Sequence, residues 1–132
     1  MSTVTLPVAK LILALRAYII GGTHIPVDMA RQAGVLAADH NNLSKLILFA
    51  PADAEVAAQA WLRIAGHNTG QSQLAALTVA AYLAHAADDH TSAAFAIAWQ
   101  RHVADELHTD VPADTQLLSL DYRTAQLLAN AG

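Results

Sequence analysis

The chain has 132 residues, of which 55% are apolar and 14% are charged, and it carries a net charge of -4 without any cysteine. The absence of cysteine excludes disulfides, thiolate metal sites and cysteine nucleophiles. The seven lysine and arginine residues are spread singly, which disfavours nucleic-acid binding through a basic stripe. Alanine and leucine, both strong helix formers, contribute 30 and 18 residues. We therefore expect a single all-α domain over residues 1–132, with about seven helices stacked in pairs.

The first predicted helix runs over about Pro7–Ile20 and is almost entirely apolar. It is too short to span a bilayer, and Lys10 and Arg16 interrupt it, so we interpret it as a helix of a cytoplasmic protein; a signal peptide is the alternative. A terminal helix of so small a domain buries one stripe against its own core. Because its apolar residues cover more than one face, we predict a homodimer or a protein partner at this helix, and no membrane association. The candidate interface residues are Leu11, Leu13, Leu15, Ile19 and Ile20. The alternative is that the helix threads through the middle of the domain.

The next two predicted helices, Val27–Ala38 and Leu43–Phe49, faintly resemble a helix-turn-helix over residues 26–47. The second helix would present Asn41, Asn42, Ser44 and Lys45 to DNA. Only Arg31 and Lys45 supply positive charge nearby, which is too little to anchor phosphates. Two packed core helices are the favoured interpretation, and a DNA-binding regulator is the runner-up.

Four more helices are predicted after Pro51, at about Ala54–Ala65, Ser72–Ala87, Ser92–Leu107 and Asp114–Asn130. Asp53 is placed to cap the first of them. The second is apolar all round, which is typical of a central, buried helix. In the third, Phe95, Trp99 and Val103 form one apolar stripe and are expected in the core. Asp121 is a possible turn point inside the last.

Histidine and acidic residues cluster twice, and both clusters invite a metal-site hypothesis. His102 and Glu106 are four residues apart on one helical face, which is the geometry of two metal ligands on a helix. His85 and His90, with the acidic residues between them, form a second cluster at a helix end. Helix-end histidines and acidic caps are the more ordinary interpretation. We expect no metal, no cofactor and no catalytic residue, and a metal-dependent enzyme is the third alternative. Glu106, on the Phe95–Trp99 stripe, is a candidate buried acid.

Six segments carry a resemblance to a known family. They are Leu36-Ala-Ala-Asp39, Leu46-Ile-Leu-Phe49-Ala50, Trp61-Leu62-x-x-Ala65, Leu77-Thr-Val-Ala-Ala-Tyr82-Leu83, Ser92-Ala-Ala-Phe-Ala-Ile-Ala98 and Asp121-Tyr122-Arg123-Thr124-Ala125-Gln126-Leu127-Leu128. They resemble the C-terminal helical part of a family called domain of unknown function 4192, found in actinobacteria and some of their phages. The resemblance covers roughly residues 36 to 132. Asp88-Asp89-His90 stands where the family has Gly-Asp-Gly. The family has no assigned activity, so the resemblance implies an all-α fold and no functional residue.

These observations favour a non-enzymatic protein-interaction domain. High apolar content and stacked helix pairs, which offer grooves for partner helices, support that prediction.

Overall fold

The structure, a computed structural model, describes residues 8–22, 24–39, 42, 46 and 53–110. These residues form five α-helices and no strand, so the all-α prediction is confirmed. The helices are α1 (Val8–Gly21), α2 (Val27–Ala38), α3 (Ala54–Gly66), α4 (Gly70–Ala86) and α5 (His90–Glu106). Of the seven expected helices, those at 43–49 and 114–130 lie outside the described residues, apart from Leu46, which is helical and buried.

Local capping residues explain where α3 and α5 begin. The Asp53 carboxylate accepts a hydrogen bond of 3.2 Å from the Val56 backbone N–H, as the sequence predicts. Asp89 caps α5 in the same way, through the backbone N–H of Ser92 at 3.1 Å. Because Asp89 is the cap, α5 begins at His90, two residues before the predicted start. The helix α4 also begins two residues early, at Gly70.

The helix α4 is the centre of the fold, and the prediction of a buried central helix is confirmed. It packs against α2, α3 and α5. Its buried side chains occur all round the helix, and they are Leu74, Ala76, Leu77, Thr78, Val79, Ala80, Ala81, Leu83 and Ala84. Four of these are alanines, and α3 and α5 also face α4 with buried alanines. Small side chains let helix axes approach closely, which suits the short distances of helix-on-helix packing.

The exposure of Phe95 contradicts the expectation that the Phe95–Trp99 stripe lies in the core. Phe95 is 57% exposed, and Trp99 is half-buried. Each step of four residues advances about 40° beyond a full turn, so a row of such steps winds round the helix and reaches the core only at Val103. The inner face of α5 is built mainly from smaller residues and an amide, namely Ala93, Ala96, Ile97, Gln100, Val103 and Ala104.

Candidate functional site

The five candidate interface residues of α1 divide into an inner and an outer set. Leu11, Leu15 and Ile19 are buried in the core that α1 shares with α2 and α3. Leu13 and Ile20 point the other way and are 65% and 63% exposed. Within the described part of the chain, α1 therefore buries one stripe and leaves its opposite face uncovered. Only Leu13 and Ile20 of the five are available to another molecule.

The outward face of α1 combines these two side chains with small and cationic neighbours. Leu13 and Ile20 lie about two turns apart on nearly the same side of the helix, with exposed Ala17 between them. Lys10 and Arg16 are also exposed and flank this strip on opposite sides. No acidic residue occurs in Val8–Gly21. We call Leu13, Ala17 and Ile20, with Lys10 and Arg16 at the edges, the outward strip of α1.

The structure does not bring the two histidine clusters together. His102 Nε2 lies 3.1 Å from the Glu106 carboxylate, and both side chains are largely in solvent, at 72% and 66% exposure. Glu106 is therefore not a buried acid on an apolar stripe. Because α5 begins at His90, the His102–Glu106 pair lies at its opposite end, about 18 Å along the axis. In the part of the chain that the structure describes, no group of three His, Asp or Glu side chains is placed to hold a metal ion.

The turns at these helix ends use the same backbone motif twice. After α4, the N–H groups of Asp88 and Asp89 donate to the carbonyls of His85 and Ala84. After α5, His108 and Thr109 donate to Asp105 and Ala104 in the same pattern. Both are Schellman motifs, with Asp88 (φ 56°) and His108 (φ 53°) in the left-handed position. Asp88 and His108 thus help to end helices. The His85 imidazole has a buried Nδ1 atom that makes no hydrogen bond.

Only half of the helix-turn-helix alternative falls on described residues. Val27–Ala38 forms α2 with the predicted bounds, and Arg31 is exposed on it. Asn42 and Leu46 are helical, and Leu46 is buried. Asn41, Ser44 and Lys45 lie outside the described residues.

A buried polar cluster between α4 and α5 was not anticipated from the sequence. The Gln100 Nε2 amide donates to the Leu74 carbonyl and to the Thr78 hydroxyl, at 2.8 Å each. The Thr78 hydroxyl donates to the same carbonyl at 3.0 Å. Gln100 is fully buried, and its Oε1 atom has no hydrogen-bond partner. The signal in the sequence was a glutamine flanked by apolar positions at helical spacing.

A small cleft between the residues that lead into α2 and the end of α3 was also not anticipated from the sequence. Its volume is about 200 Å³. Apolar side chains from Ile25, Ala30 and Ile64 line it, together with the polar side chains of His24, Arg63 and His67. The signal for it was weak, because Arg63 and His67 are spaced as helix-end cations and His24 is distant in sequence.

Comparison with protein-family models, with curated proteins and with solved structures finds no match for this chain. Among the helices described above, none is both long and apolar enough to cross a membrane.

Proposed function

We propose that this protein is a non-enzymatic helical interaction domain that associates with a second copy of itself through the outward strip of α1. The observation that carries the proposal is the exposure of Leu13 and Ile20 on a helix whose opposite stripe is buried. Leaving two large aliphatic side chains in water forgoes the free energy of burying them, about 1.5–3 kcal/mol each when burial is complete. Another protein surface is the natural cover for such a strip.

A two-fold pairing of α1 fits the order of residues on the strip. In an isologous contact, a residue on one copy meets a different residue on the other, and the reverse contact is identical. If two copies of α1 cross in opposite directions at Ala17, Leu13 of each copy meets Ile20 of the other. The small side chain of Ala17 then lies at the crossing, where the helices come closest.

The cations on the strip give a second copy and an acidic partner opposite dependences on salt. Lys10 and Arg16 lie at the edges, where their long side chains keep the charged groups in water. In a homodimer these like charges repel weakly, so added salt strengthens association. An acidic partner would be attracted by the same cations, and its binding would weaken with salt. We commit to the second copy because the apolar residues of the strip are self-complementary.

The absence of cysteine from the chain makes disulfide trapping a site-specific test of the proposed contact. Ala17→Cys places one thiol at the proposed crossing, where the two Cα atoms are expected within bridging distance. Ala38→Cys, an exposed position on α2, is the matched control. We expect mild oxidation to convert Ala17→Cys to a covalent dimer much faster than Ala38→Cys, with faster trapping at higher salt. Equal rates for the two variants, or no dimer from either, would reject the proposed contact.

The family, the biological origin and the cellular location of the chain are also part of the proposal. Leu36 and Asp39 fall at the end of α2 and Trp61 falls in α3, so these parts of the resembling segments lie in or beside helices. We propose an actinobacterial or phage origin in the family of unknown function described above, and action in the cytoplasm.

A further inference from the structure

The cleft beside α2 and α3 has a polar side and an apolar side. His24 comes from the segment that leads into α2, whereas Arg63 and His67 come from the last turn and the end of α3. Ile25, Ala30 and Ile64, all buried, form the floor. A hollow with an apolar floor and a few convergent polar groups is the usual form of a small-molecule site.

The polar side of the cleft carries the Arg63 guanidinium and the imidazoles of His24 and His67, beside the backbone of Gly66. Among the described residues, no carboxylate lines it. The side chains of His24, Arg63 and His67 make no hydrogen bond or ion pair within the described part of the chain. The Arg63 guanidinium is always charged, and its planar fork matches the two oxygens of a carboxylate. The arrangement is therefore complementary to an anion.

A purely structural role accounts for only part of this arrangement. Cations in the last turn of a helix interact favourably with its C-terminal carbonyl groups, and this explains Arg63 and His67 on α3. It does not explain why His24, from a separate segment, faces the same hollow. Nor does it explain the apolar floor, which a helix-end charge does not need.

We propose that the cleft binds a small organic carboxylate, with its charged group against Arg63, His24 and His67 and a short aliphatic chain on the floor. The volume of about 200 Å³ is below the range of about 300–1,000 Å³ typical of sites for drug-sized ligands, so the ligand has only a few carbon atoms. The three polar side chains are exposed, which makes the contact weak and readily reversible. This site rests on different residues from the outward strip of α1, and either proposal stands without the other.

The test is a nuclear magnetic resonance titration of the full chain that follows the imidazole signals of His24 and His67. The probes are acetate, propionate and butyrate, with butyramide as the neutral counterpart and inorganic phosphate as an anion without an apolar chain. We expect saturable shifts of both imidazoles, with affinity rising by up to about fourfold for each methylene buried, and no response to butyramide. Equal binding of acetate and butyrate, tighter binding of phosphate, or a response to butyramide would overturn the proposal.

Two variants and one control connect the signal to the cleft. Arg63→Gln is expected to weaken butyrate binding by about tenfold, because it removes a charge-assisted hydrogen bond. Arg31→Gln removes the same charge from α2 outside the cleft and should leave the affinity within about twofold. Circular dichroism establishes that each variant is folded. If Arg63→Gln is unfolded, His24→Gln, in the segment before α2, takes its place with the same expected direction. An unchanged affinity in the folded cleft variant, or an equal loss in Arg31→Gln, would contradict the assignment.

Discussion

Gly34 of α2 meets the side chain of Asn68, in the turn after α3, at a distance that leaves no room for a methyl group. A Cβ atom on Gly34 would overlap the Asn68 amide. That amide is buried and held in place, because its Nδ2 atom donates to the carbonyls of Ala30 at 3.0 Å and Ile64 at 2.8 Å. Asn68 thereby joins α2 to α3, and glycine at position 34 is a packing requirement.

We expect Gly34→Ala to lower the free energy of unfolding by about 1–3 kcal/mol, because it displaces a buried, hydrogen-bonded amide, despite the better helix propensity of alanine. In an Asn68→Ala background the same change should be nearly neutral, since the methyl group then occupies vacated space. Gly66→Ala is the control, because its nearest neighbour in the described structure is Trp99 at 4.0 Å. Denaturant melts of the wild type, Gly34→Ala, Asn68→Ala and the double variant measure the coupling between positions 34 and 68. If Gly34→Ala costs the same free energy of unfolding in the wild type and in Asn68→Ala, the contact between Gly34 and Asn68 is contradicted.

The burial pattern gives a second residue-scale prediction. Leu77 is fully buried on α4, and Leu77→Ala should cost about 2–5 kcal/mol of unfolding free energy. Trp99→Ala should cost about 1–3 kcal/mol, since the side chain is half-buried. Phe95→Ala should cost less than about 1 kcal/mol, because the ring is mostly in water and loses mainly its contact with Trp99, at a centroid distance of 5.9 Å. Denaturant melts give the order of the three costs. A cost for Phe95→Ala equal to that for Leu77→Ala would show that the placement of α5 is wrong.

At the scale of whole elements, the paired Schellman motifs store a small backbone strain. Asp88 and His108 adopt left-handed conformations that glycine accepts without a steric penalty. Asp88→Gly and His108→Gly should each raise the free energy of unfolding by up to about 1 kcal/mol. Ala86→Gly, at the last residue of α4, is the matched control and should lower it by less than about 1 kcal/mol. Thermal melts of the three variants give the sign of each change in stability. A loss of stability in both Asp88→Gly and His108→Gly would contradict the left-handed conformations assigned to these turns.

The N-cap of α5 makes the stability depend on pH in a defined direction. Hydrogen bonds from the Ser92 hydroxyl and backbone N–H lower the pKa of Asp89 below its ordinary value of 3.8. The Ser92 hydroxyl oxygen also accepts a 2.7 Å hydrogen bond from Gln59 Nε2 on α3. Since the folded pKa lies below the unfolded value, the stabilisation is fully present above the unfolded pKa and is lost as the pH falls through the folded pKa.

Asp89→Asn is the variant that tests this linkage, because asparagine also caps helices but does not titrate. We expect the wild-type chain to be the more stable at neutral pH and the difference to vanish in acid. Denaturant melts at several pH values from about 7 to 2 follow the difference directly. A difference that stays constant across this range would show that the Asp89 charge contributes nothing to the cap.

What the sequence predicts well in these elements is set by local chemistry. The bounds of α2 and the Asp53 cap depend on residues within a few positions, so the sequence alone predicts them. The row Phe95, Trp99 and Val103 predicts the inner face of α5 wrongly, because a row spaced by four residues winds round the helix, and Ala93, Ala96 and Gln100 are buried instead. The Gly34–Asn68 contact and the cleft of His24, Arg63 and His67 join distant segments. No periodicity along one helix encodes such contacts.

For the molecule as a whole, the described helices share one buried core, and the outward strip of α1 is left uncovered by it. The sequence indicated an excess of apolar surface on this helix but did not separate Leu13 and Ile20 from Leu11, Leu15 and Ile19. That separation depends on which side of α1 meets α2 and α3. Self-association through the outward strip is the central claim about function.

The measurement that tests this claim most directly is the molar mass from light scattering after size exclusion, over a range of protein concentrations. The wild-type chain should approach the mass of a dimer as concentration rises, whereas Leu13→Glu and Ile20→Glu should remain monomers with unchanged circular dichroism. Val35→Glu is the matched control, because Val35 is 64% exposed on α2, and it should dimerise like the wild type. A wild-type chain that stays monomeric at high concentration, or equal loss of dimer in Val35→Glu, would contradict the account.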